Sequence, residues 1–367
     1  MTRLHDLYNE VGQSPWIDNI RRDWLDDGTL ARHVEDGVRG VTSNPSIFAK
    51  SLATSSAYDE RIAMLDVENP ELVFERLAVD DVRDACDVLL GVHEASQVDA
   101  ASGRRRYYDG FVSLEVSPRL AHDTAGTIDA ARRLAAAVGR SNVMIKIPAT
   151  REGLEAIRTV LGAGINVNVT LIFSIERYRE VMGAWMDGLE LALAQGHDIS
   201  SIASVASFFV SRLDVAVDAL LDSDDPRRGT IAVAQVAQAY RAYESVVADA
   251  RARALLDRGA QVQRPLWAST STKNPSYDEL LYVNSIAADE TVNTMPDATL
   301  AAALKHGSFA ESVLRDPQRS AAAIETLSTI DLSAVTQRLE DEGVAAFISS
   351  YDELLETVSA KLRQSRD

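Results

Sequence analysis

The chain has 367 residues, of which 46% are hydrophobic and 25% charged, a composition typical of folded globular proteins and not of disordered or fibrous ones. Its 55 acidic against 37 basic residues give a formal net charge of -18 and a pI near 4.8, which argues against binding to nucleic acid or anionic membranes. An anionic substrate would therefore need a local cluster of positive side chains.

The sequence carries no signal for secretion or membrane insertion. It begins Met-Thr-Arg-Leu-His-Asp without the apolar core of a signal peptide, and no stretch approaches the roughly 18 apolar residues of a membrane span. A single cysteine, Cys86, excludes an internal disulfide. We therefore expect a cytoplasmic protein.

Short apolar strands alternate with longer helical segments along the first half of the chain. Strands are predicted at residues 15–19, 37–45, 109–117 and 142–150. Helices are predicted up to about residue 36, in two segments over 53–100, and over 121–138. Pro45 ends the second strand, and Ser43 or Ser46 can cap the next helix. We expect the basic run at 104–106 to be a solvated turn.

The second half repeats this alternation. A helix at about 150–161 precedes the clearest strand, at 164–174, and Ser174 is a good cap for a helix that runs to about 195. Strands at 202–210, 264–270 and 290–296 follow, with two helical segments broken near Pro226. Two further helices are predicted from about 317. Eight strand–helix repeats favour an α/β fold, a closed (β/α)8 TIM barrel, over an open doubly wound sheet. We expect one catalytic domain over 1–367, with the helices of 317–367 appended.

A single lysine, Lys146, stands in the middle of the apolar strand from Asn142 to Thr150. Removing an ammonium from water costs several kcal/mol unless it is paired, so such a group tends to become a neutral amine. A neutral amine in a dry pocket is the nucleophile that forms Schiff bases with carbonyl substrates. Taken alone, a lysine in such a strand more often reaches solvent or a structural carboxylate.

Several predicted strands have one polar face. In the strand that begins at Gly164, the apolar face carries Ile165, Val167, Val169 and Leu171. Because helices cover the outside of a parallel barrel, the polar faces must point into the lumen. The polar side chains also lie late in their strands, near the end of the barrel where such enzymes carry their sites: Asp18, Asn44, Glu115, Lys146, Asn168 and Thr170. Their convergence favours a catalytic role for Lys146.

Five motifs resemble those of the transaldolase family. They are Gly-Val-Thr-Ser-Asn-Pro-Ser from Gly40, Ser-Leu-Glu-Val from Ser113, Ile-Lys-Ile-Pro-Ala-Thr from Ile145, Gly-Ile-Asn-Val-Asn-Val-Thr-Leu-Ile-Phe-Ser from Gly164, and Ser-Phe-Phe-Val-Ser-Arg from Ser207. The motifs follow the family's order and spacing from about residue 12 to 300. The resemblance implies a barrel of the class I aldolase kind that belongs to the pentose phosphate pathway. Such a transferase moves a dihydroxyacetone unit from sedoheptulose 7-phosphate to glyceraldehyde 3-phosphate, giving erythrose 4-phosphate and fructose 6-phosphate, without a metal or another cofactor.

The resemblance also implies roles for the residues in these motifs. Lys146 would be the Schiff-base lysine, and Asp18 would take and return the proton of the C4 hydroxyl. Glu115 would move protons through a water held with Thr170 while the carbinolamine loses water. The substrate-binding residues would be Asn44 and Asn168, for the hydroxyls of the three-carbon unit, with Ser207 and Arg212 for the phosphate.

Two more positions are implied less directly. Phe209 lies on the same strand face as Ser207, and by default it would be a packing residue of the core. In the family, an aromatic ring without a hydroxyl at this position looks like a way to keep water from the enamine. Exclusion of water favours transfer over aldol release. Lys273 lies where the family has a second phosphate-binding arginine, and a surface loop lysine is an equally open interpretation.

Other functions remain open on the sequence. One is a Schiff-base aldolase that cleaves fructose 6-phosphate or a deoxysugar phosphate without transfer. Another is a non-catalytic barrel that binds sugar phosphates or a protein partner. A metal-dependent aldolase would need a histidine cluster, and the six histidines do not show the spacing of metal ligands. We expect sugar-phosphate substrates and either a monomer or a homodimer.

Overall fold

The fold is a closed barrel of parallel strands, as predicted. The computed structural model describes residues 1–101 and 109–365, so the turn predicted at 104–106 lies outside the described residues. Every strand of the barrel pairs with the next, and the last pairs with the first. Within the described residues there are eight: β1 (Gln13–Ile17), β2 (Gly40–Val41), β3 (Phe111–Glu115), β4 (Val143–Pro148), β5 (Val167–Ile172), β6 (Ser204–Phe209), β7 (Arg264–Ala268) and β8 (Thr291–Met295).

Helices surround this barrel and follow the order of the predicted segments. Within the described residues they are α1 (Arg3–Asp6), α2 (Arg22–Asp26), α3 (Thr29–Glu35), α4 (Pro45–Thr54), α5 (Asp59–Met64), α6 (Pro70–Ala101), α7 (Thr124–Val138), α8 (Arg151–Gly162), α9 (Ile175–Ala194), α10 (Ser211–Asp218), α11 (Ile231–Val247), α12 (Ala250–Leu256), α13 (Leu281–Ser285), α14 (Asp297–His306), α15 (Pro317–Thr326) and α16 (Ser333–Gln364). The two helices predicted from about residue 317 are α15 and α16.

Helix α8 shows how the sequence builds the outer layer. Thr150 caps the helix, since its hydroxyl accepts from the amide of Gly153 at 3.0 Å. Ala156, Ile157 and Val160 recur at helical spacing and are fully buried. The helix packs against α7 and α9 and covers β4 and β5. The core therefore lies between the outer face of the barrel and its helices.

The register of the strands positions the predicted polar residues. Glu115 of β3 lies opposite Lys146 of β4, and Lys146 lies opposite Asn168 of β5. Side chains opposite each other on neighbouring strands point to the same side of a sheet. These three residues therefore form one row across adjacent strands near the carboxyl end of the barrel.

The amino end of the barrel is closed by a charged network around Asp109. This carboxylate is fully buried and accepts hydrogen bonds from Ser14, Trp16 and Arg39 at 2.6, 2.9 and 3.0 Å. Arg264 donates to it at 3.2 Å. Although burial raises the pKa of Asp109, the two arginines and these donors outweigh it, and its pKa lies below the ordinary value.

Two local predictions were wrong. The cap of α4 is Asn44 and not Ser43 or Ser46: its side chain accepts from the amide of Ile47 at 3.0 Å, with Pro45 in the first turn. Ser43 instead donates to the carbonyl of Ser113 at 2.7 Å in the barrel. Asn44 is preferred because it already has extended backbone dihedrals where Pro45 starts the helix.

Leu171 also departs from the strand pattern. Its φ is 60°, and the pairing of β5 with β6 shifts between Val169 and Ile172. Such a bulge ends the strict alternation of side chains. Leu171 lines a small cavity with Glu115 and Phe347, so it faces α16 at the barrel mouth.

Three further observations concern the described residues. No helix among them is long and apolar enough to cross a lipid bilayer. Nor do they contain a group of His, Cys, Asp or Glu side chains suited to hold a metal ion. Cys86 is a buried free thiol.

Candidate active site

A cavity of about 510 Å³ opens at the carboxyl ends of the strands. Its volume matches that of pockets that bind small molecules. Eight of the ten residues predicted for the site line it: Asp18, Asn44, Lys146, Thr170, Ser207, Phe209, Arg212 and Lys273. The two others, Glu115 and Asn168, are the neighbours of Lys146 on the adjacent strands. The structure therefore brings all the predicted residues to one end of the barrel.

The amine of Lys146 lies in a nearly closed polar environment. The side chain is 6% exposed, and its Nζ donates to Glu115 Oε2 at 3.2 Å and to the carbonyl oxygen of Ser43 at 3.0 Å. The ring of Phe347 lies 5.4 Å from Nζ. Two acceptors and a ring thus fix the amine at the wall of the cavity, where a substrate carbonyl can reach it.

The carboxyl group of Glu115 has properties suited to proton transfer. Its burial raises the pKa to about 7, and the nearby Lys146 opposes this rise. A group with a pKa close to the operating pH can both give and take a proton. The environment therefore prepares Glu115 for acid–base work.

A second carboxyl group, Asp18, follows β1. Burial raises the pKa of Asp18, and Asp297 raises it further, whereas Lys146 and the hydrogen bond from Thr42 lower it. The Thr42 hydroxyl donates to Asp18 Oδ1 at 2.7 Å. The sequence did not indicate Thr42 as a partner, because this contact forms only when β1 pairs with β2.

Thr170 lies in the lumen, fully buried, on the strand next to that of Lys146. In the part of the chain that the structure describes, its Oγ1 has no hydrogen-bond partner. Buried hydroxyl groups in proteins nearly always have one. Thr170 is thus a polar group that substrate or solvent must satisfy.

A chain of side chains crosses the lumen behind the cavity. The Ser207 hydroxyl donates to Asn168 Oδ1 at 2.7 Å, and Asn168 Nδ2 donates to Ser113 Oγ at 3.0 Å. Asn168 is fully buried and does not line the cavity itself. The resemblance implies that Ser207 binds phosphate; in the structure Ser207 lines the cavity and donates its proton to Asn168. Ser113 was not predicted.

Two cations face the cavity from neighbouring segments. Arg212 lies at the start of α10, with its guanidinium 5.4 Å from the ring of Phe209, and Lys273 lies after β7. Burial lowers the pKa of both groups, and Arg212 lowers that of Lys273 further. Within residues 1–101 and 109–365, neither cation forms a salt bridge with a carboxylate, although Glu342 attracts Arg212 and Asp18 attracts Lys273 from further away. The cavity therefore has a locally positive region, although the protein as a whole is acidic.

Helix α16 covers the mouth of this cavity, which the sequence left undecided. It packs against α4, α6 and α10 and contacts β5, and Phe347 lines the cavity. A Cβ atom at Gly343 would lie 3.2 Å from Leu171 and 3.3 Å from Phe173, so the helix approaches the barrel closely there. The helical spacing of Gly343, Phe347 and Tyr351 indicates a buried face, but not what it covers.

Comparisons with known proteins show one family over nearly the whole chain. The family model described as "Transaldolase/Fructose-6-phosphate aldolase" matches residues 15–358. The chain is 46% identical to a transaldolase of Saccharopolyspora erythraea, over 98% of each chain. It is 45% identical to a transaldolase of Thiobacillus denitrificans, over 95% of this chain and 97% of the relative. A transaldolase of Mycolicibacterium smegmatis is 46% identical, over 96% and 95%.

Among solved structures, a putative fructose-1,6-biphosphate aldolase from Coccidioides immitis covers 96% of this chain and 92% of its own. It shares 10% identity and a TM-score of 0.28, and this likeness carries no argument.

Proposed function

Because the chain belongs to the transaldolase and fructose-6-phosphate aldolase family and its activity is that of a transaldolase, we propose that the cavity performs this transfer through a Schiff base on Lys146. The unit transferred is dihydroxyacetone, from sedoheptulose 7-phosphate to glyceraldehyde 3-phosphate. The products are erythrose 4-phosphate and fructose 6-phosphate. The observation that carries the proposal is the contact of a buried lysine amine with a carboxyl group of raised pKa.

In the first step, Lys146 attacks the ketone of the donor sugar. Once Glu115 has taken a proton, the amine has a free electron pair, and the carbinolamine forms at the cavity wall. Loss of water from this adduct needs a proton on the leaving hydroxyl. Glu115 supplies this proton through a water that Thr170 holds. The unpartnered hydroxyl of Thr170 supports this role.

The carbon–carbon bond then breaks with the iminium as electron acceptor. Asp18 takes the proton of the C4 hydroxyl, the aldehyde leaves, and the bonding electron pair forms an enamine on the three remaining carbons. Return of the same proton from Asp18 accompanies bond formation to the acceptor aldehyde. The raised pKa of Asp18 and its hydrogen bond from Thr42 support this role.

Substrate binding divides between the two walls of the cavity. Arg212 supplies a forked cation and Lys273 a point charge for the phosphate. Asn44 holds the hydroxyls of the three-carbon unit, using its Nδ2, because its Oδ1 is occupied by the cap of α4. Asn168 lies fully buried behind the cavity and acts on the same unit through Ser207, which lines the cavity and donates to the Asn168 side chain.

Two aromatic rings keep water away from the enamine. Phe209 is 8% exposed and packs against Phe173 at a ring distance of 5.1 Å, whereas Phe347 lies on the opposite element, α16. Neither ring has a hydroxyl that can deliver a proton. This apolar surface favours transfer to an acceptor over release of dihydroxyacetone.

We extend the proposal to the organisation of the protein. The chain acts as one catalytic domain that includes α15 and α16, since α16 covers the site. It works in the cytoplasm as a monomer or homodimer. Light scattering coupled to size-exclusion chromatography distinguishes these two states.

The proposed chemistry is tested by trapping. Incubation with fructose 6-phosphate and borohydride should place a three-carbon adduct on Lys146, identified by mass spectrometry of the peptides. Without reductant, glyceraldehyde 3-phosphate should appear only about once per site until an acceptor aldehyde is added. Continuous release of the aldehyde would make the protein an aldolase. Absence of an adduct with both fructose 6-phosphate and sedoheptulose 7-phosphate would refute the Schiff base.

A further inference from the structure

The two cations of the cavity lie on separate elements that two tyrosines join. Arg212 belongs to α10, and Lys273 to the segment between β7 and α13. Like charges held close together repel each other, and no carboxylate of the described residues pairs with them. Their spacing therefore depends on what fastens the Lys273 segment to α10.

The first connection is buried. The hydroxyl of Tyr282, on α13, donates to Asp214 Oδ2 at 2.8 Å. Asp214 lies two residues after Arg212 on α10, and its Oδ1 accepts from the amide of Ala232 at 2.8 Å. Tyr282 and Asp214 are 2% and 1% exposed. Such a hydrogen bond to a buried carboxylate is stronger than one between neutral groups.

The second connection lies one helical turn further along. The Tyr277 hydroxyl donates to Asp218 Oδ2 at 2.6 Å, and Asp218 Oδ1 accepts from the amide of Gly229 at 3.1 Å. Asp214 and Asp218 are four residues apart, so they lie on the same face of α10. A Cβ atom at Gly229 would lie 2.8 Å from the ring of Tyr277, which shows that the ring is seated closely.

A third contact continues this attachment at the end of β7. Ser269 has a φ of 57°, its carbonyl accepts from the amide of Ser211 at 3.0 Å, and the two hydroxyls lie 2.9 Å apart. The segment that carries Lys273 is thus fixed to α10 on both sides of the lysine.

We propose that Tyr277 and Tyr282, through Asp218 and Asp214, are positioning residues that set the distance between Lys273 and Arg212 and thereby the affinity for the phosphate group of the substrate. The inference rests on the proposed function of the two cations. Neither tyrosine hydroxyl contacts the substrate, since neither residue lines the cavity. Their effect should appear in binding and not in the chemical step.

The test compares Tyr277→Phe with a matched control, Tyr243→Phe. Tyr243 donates to Glu290 Oε2 at 2.8 Å, so it also forms a hydrogen bond between a tyrosine and a carboxylate, but at the amino end of the barrel. Tyr277→Phe should raise KM for fructose 6-phosphate about threefold to fivefold, and the inhibition constant of inorganic phosphate in the same ratio. Its kcat should change less than about twofold. The control should leave all three values unchanged.

A double substitution distinguishes positioning of Lys273 from a general disturbance of the structure. In a Lys273→Met background, Tyr277→Phe should no longer raise KM, because the group that it positions is gone. Tyr282→Phe should raise KM as Tyr277→Phe does. Asp218→Asn tests the hydrogen bond between Tyr277 and Asp218, because asparagine keeps the shape of the aspartate side chain. Turnover of fructose without phosphate should be equal in Tyr277→Phe and in the wild type.

Three results would overturn the inference. They are an unchanged KM and phosphate inhibition constant in Tyr277→Phe, an additive effect in the Lys273→Met background, or an equal loss with the unphosphorylated sugar. The borohydride adduct on Lys146 is measured in each variant. Because an absent adduct in the wild type would refute the proposed function itself, the two failures are distinguishable.

Discussion

The two ends of the barrel treat buried charge differently. At the amino end, Asp109 has four side-chain donors, two of them arginines, and its pKa is lowered. At the carboxyl end, Glu115 has one cationic partner, Lys146, and its pKa is raised to about 7. Fully satisfied charges fix a structure, whereas partly satisfied ones remain able to exchange protons. The contrast separates a structural network from a chemical one.

The largest effect should come from Lys146→Met. Without the amine no Schiff base forms, so we expect kcat to fall by about 10⁴-fold or more and the borohydride adduct to disappear. The free energy of unfolding should change by less than about 2 kcal/mol, because Glu115 can remain protonated beside an apolar chain. Steady-state kinetics and urea denaturation measure the two quantities. If Lys146→Met lowered the free energy of unfolding as much as an Asp109 variant does, the contrast between the two ends of the barrel would be wrong.

Asp109→Asn should lower the stability of the protein and leave its kcat nearly unchanged, which is the opposite of Lys146→Met. Removing the carboxylate leaves Arg39 and Arg264 without their common counter-charge, which should lower the free energy of unfolding by about 3–5 kcal/mol. The kcat of the folded fraction should stay within about twofold of the wild type, since Asp109 is at the other end of the barrel. Urea denaturation and active-site titration with borohydride test this. A reduced kcat at full occupancy would show that the two ends are coupled.

Glu115→Gln should impair chemistry with little loss of binding. The amide keeps the shape but cannot transfer the proton, so kcat should fall by about 10²–10³-fold while KM changes little. Rapid-quench trapping should show that formation of the Lys146 adduct has become rate-limiting. The structural alternative, in which Glu115 only neutralises Lys146, predicts an unchanged rate of adduct formation.

The two carboxyl groups should also respond to pH in opposite directions. Glu115 has a folded pKa of about 7 against 4.5 when exposed, so its contribution to stability is full below 4.5 and is lost as the pH rises through 7. The pKa of Asp109 is lowered, so its contribution is present above 3.8 and is lost in acid. Urea denaturation at pH 5 and 8 should show a decline that Glu115→Gln reduces by about 1–3 kcal/mol. The Asp109→Asn variant should keep that decline.

The smallest of these effects concerns Lys273. Replacing it by Met should raise KM for fructose 6-phosphate about tenfold with kcat nearly unchanged, because a point charge at the phosphate contributes to binding alone. Lys305→Met, at an exposed position near the end of α14, is a control for the change in net charge. An unchanged KM would make Lys273 an ordinary loop lysine.

The sequence predicted the architecture because its signals are local. Strand and helix periodicity, with Ser174 as a cap, indicated the order of elements, and all eight predicted strands are present in the described residues. Its errors occurred where pairing between strands, and not the local sequence, decides the structure. The bulge at Leu171 and the two-residue length of β2 depend on pairing with neighbouring strands, which no single segment encodes.

The sequence by itself determined which residues reach the carboxyl end of the barrel, since the parity and length of each strand decide where a side chain points. Only the tertiary structure decided which groups meet there. The contact of Thr42 with Asp18, the position of Phe347 over Lys146 and the direction of Ser207 toward Asn168 each join distant parts of the chain. A hydrogen bond or a pKa depends on distances of a few ångströms between such parts, and the pairing of neighbouring strands and the packing of α16 on the barrel set those distances.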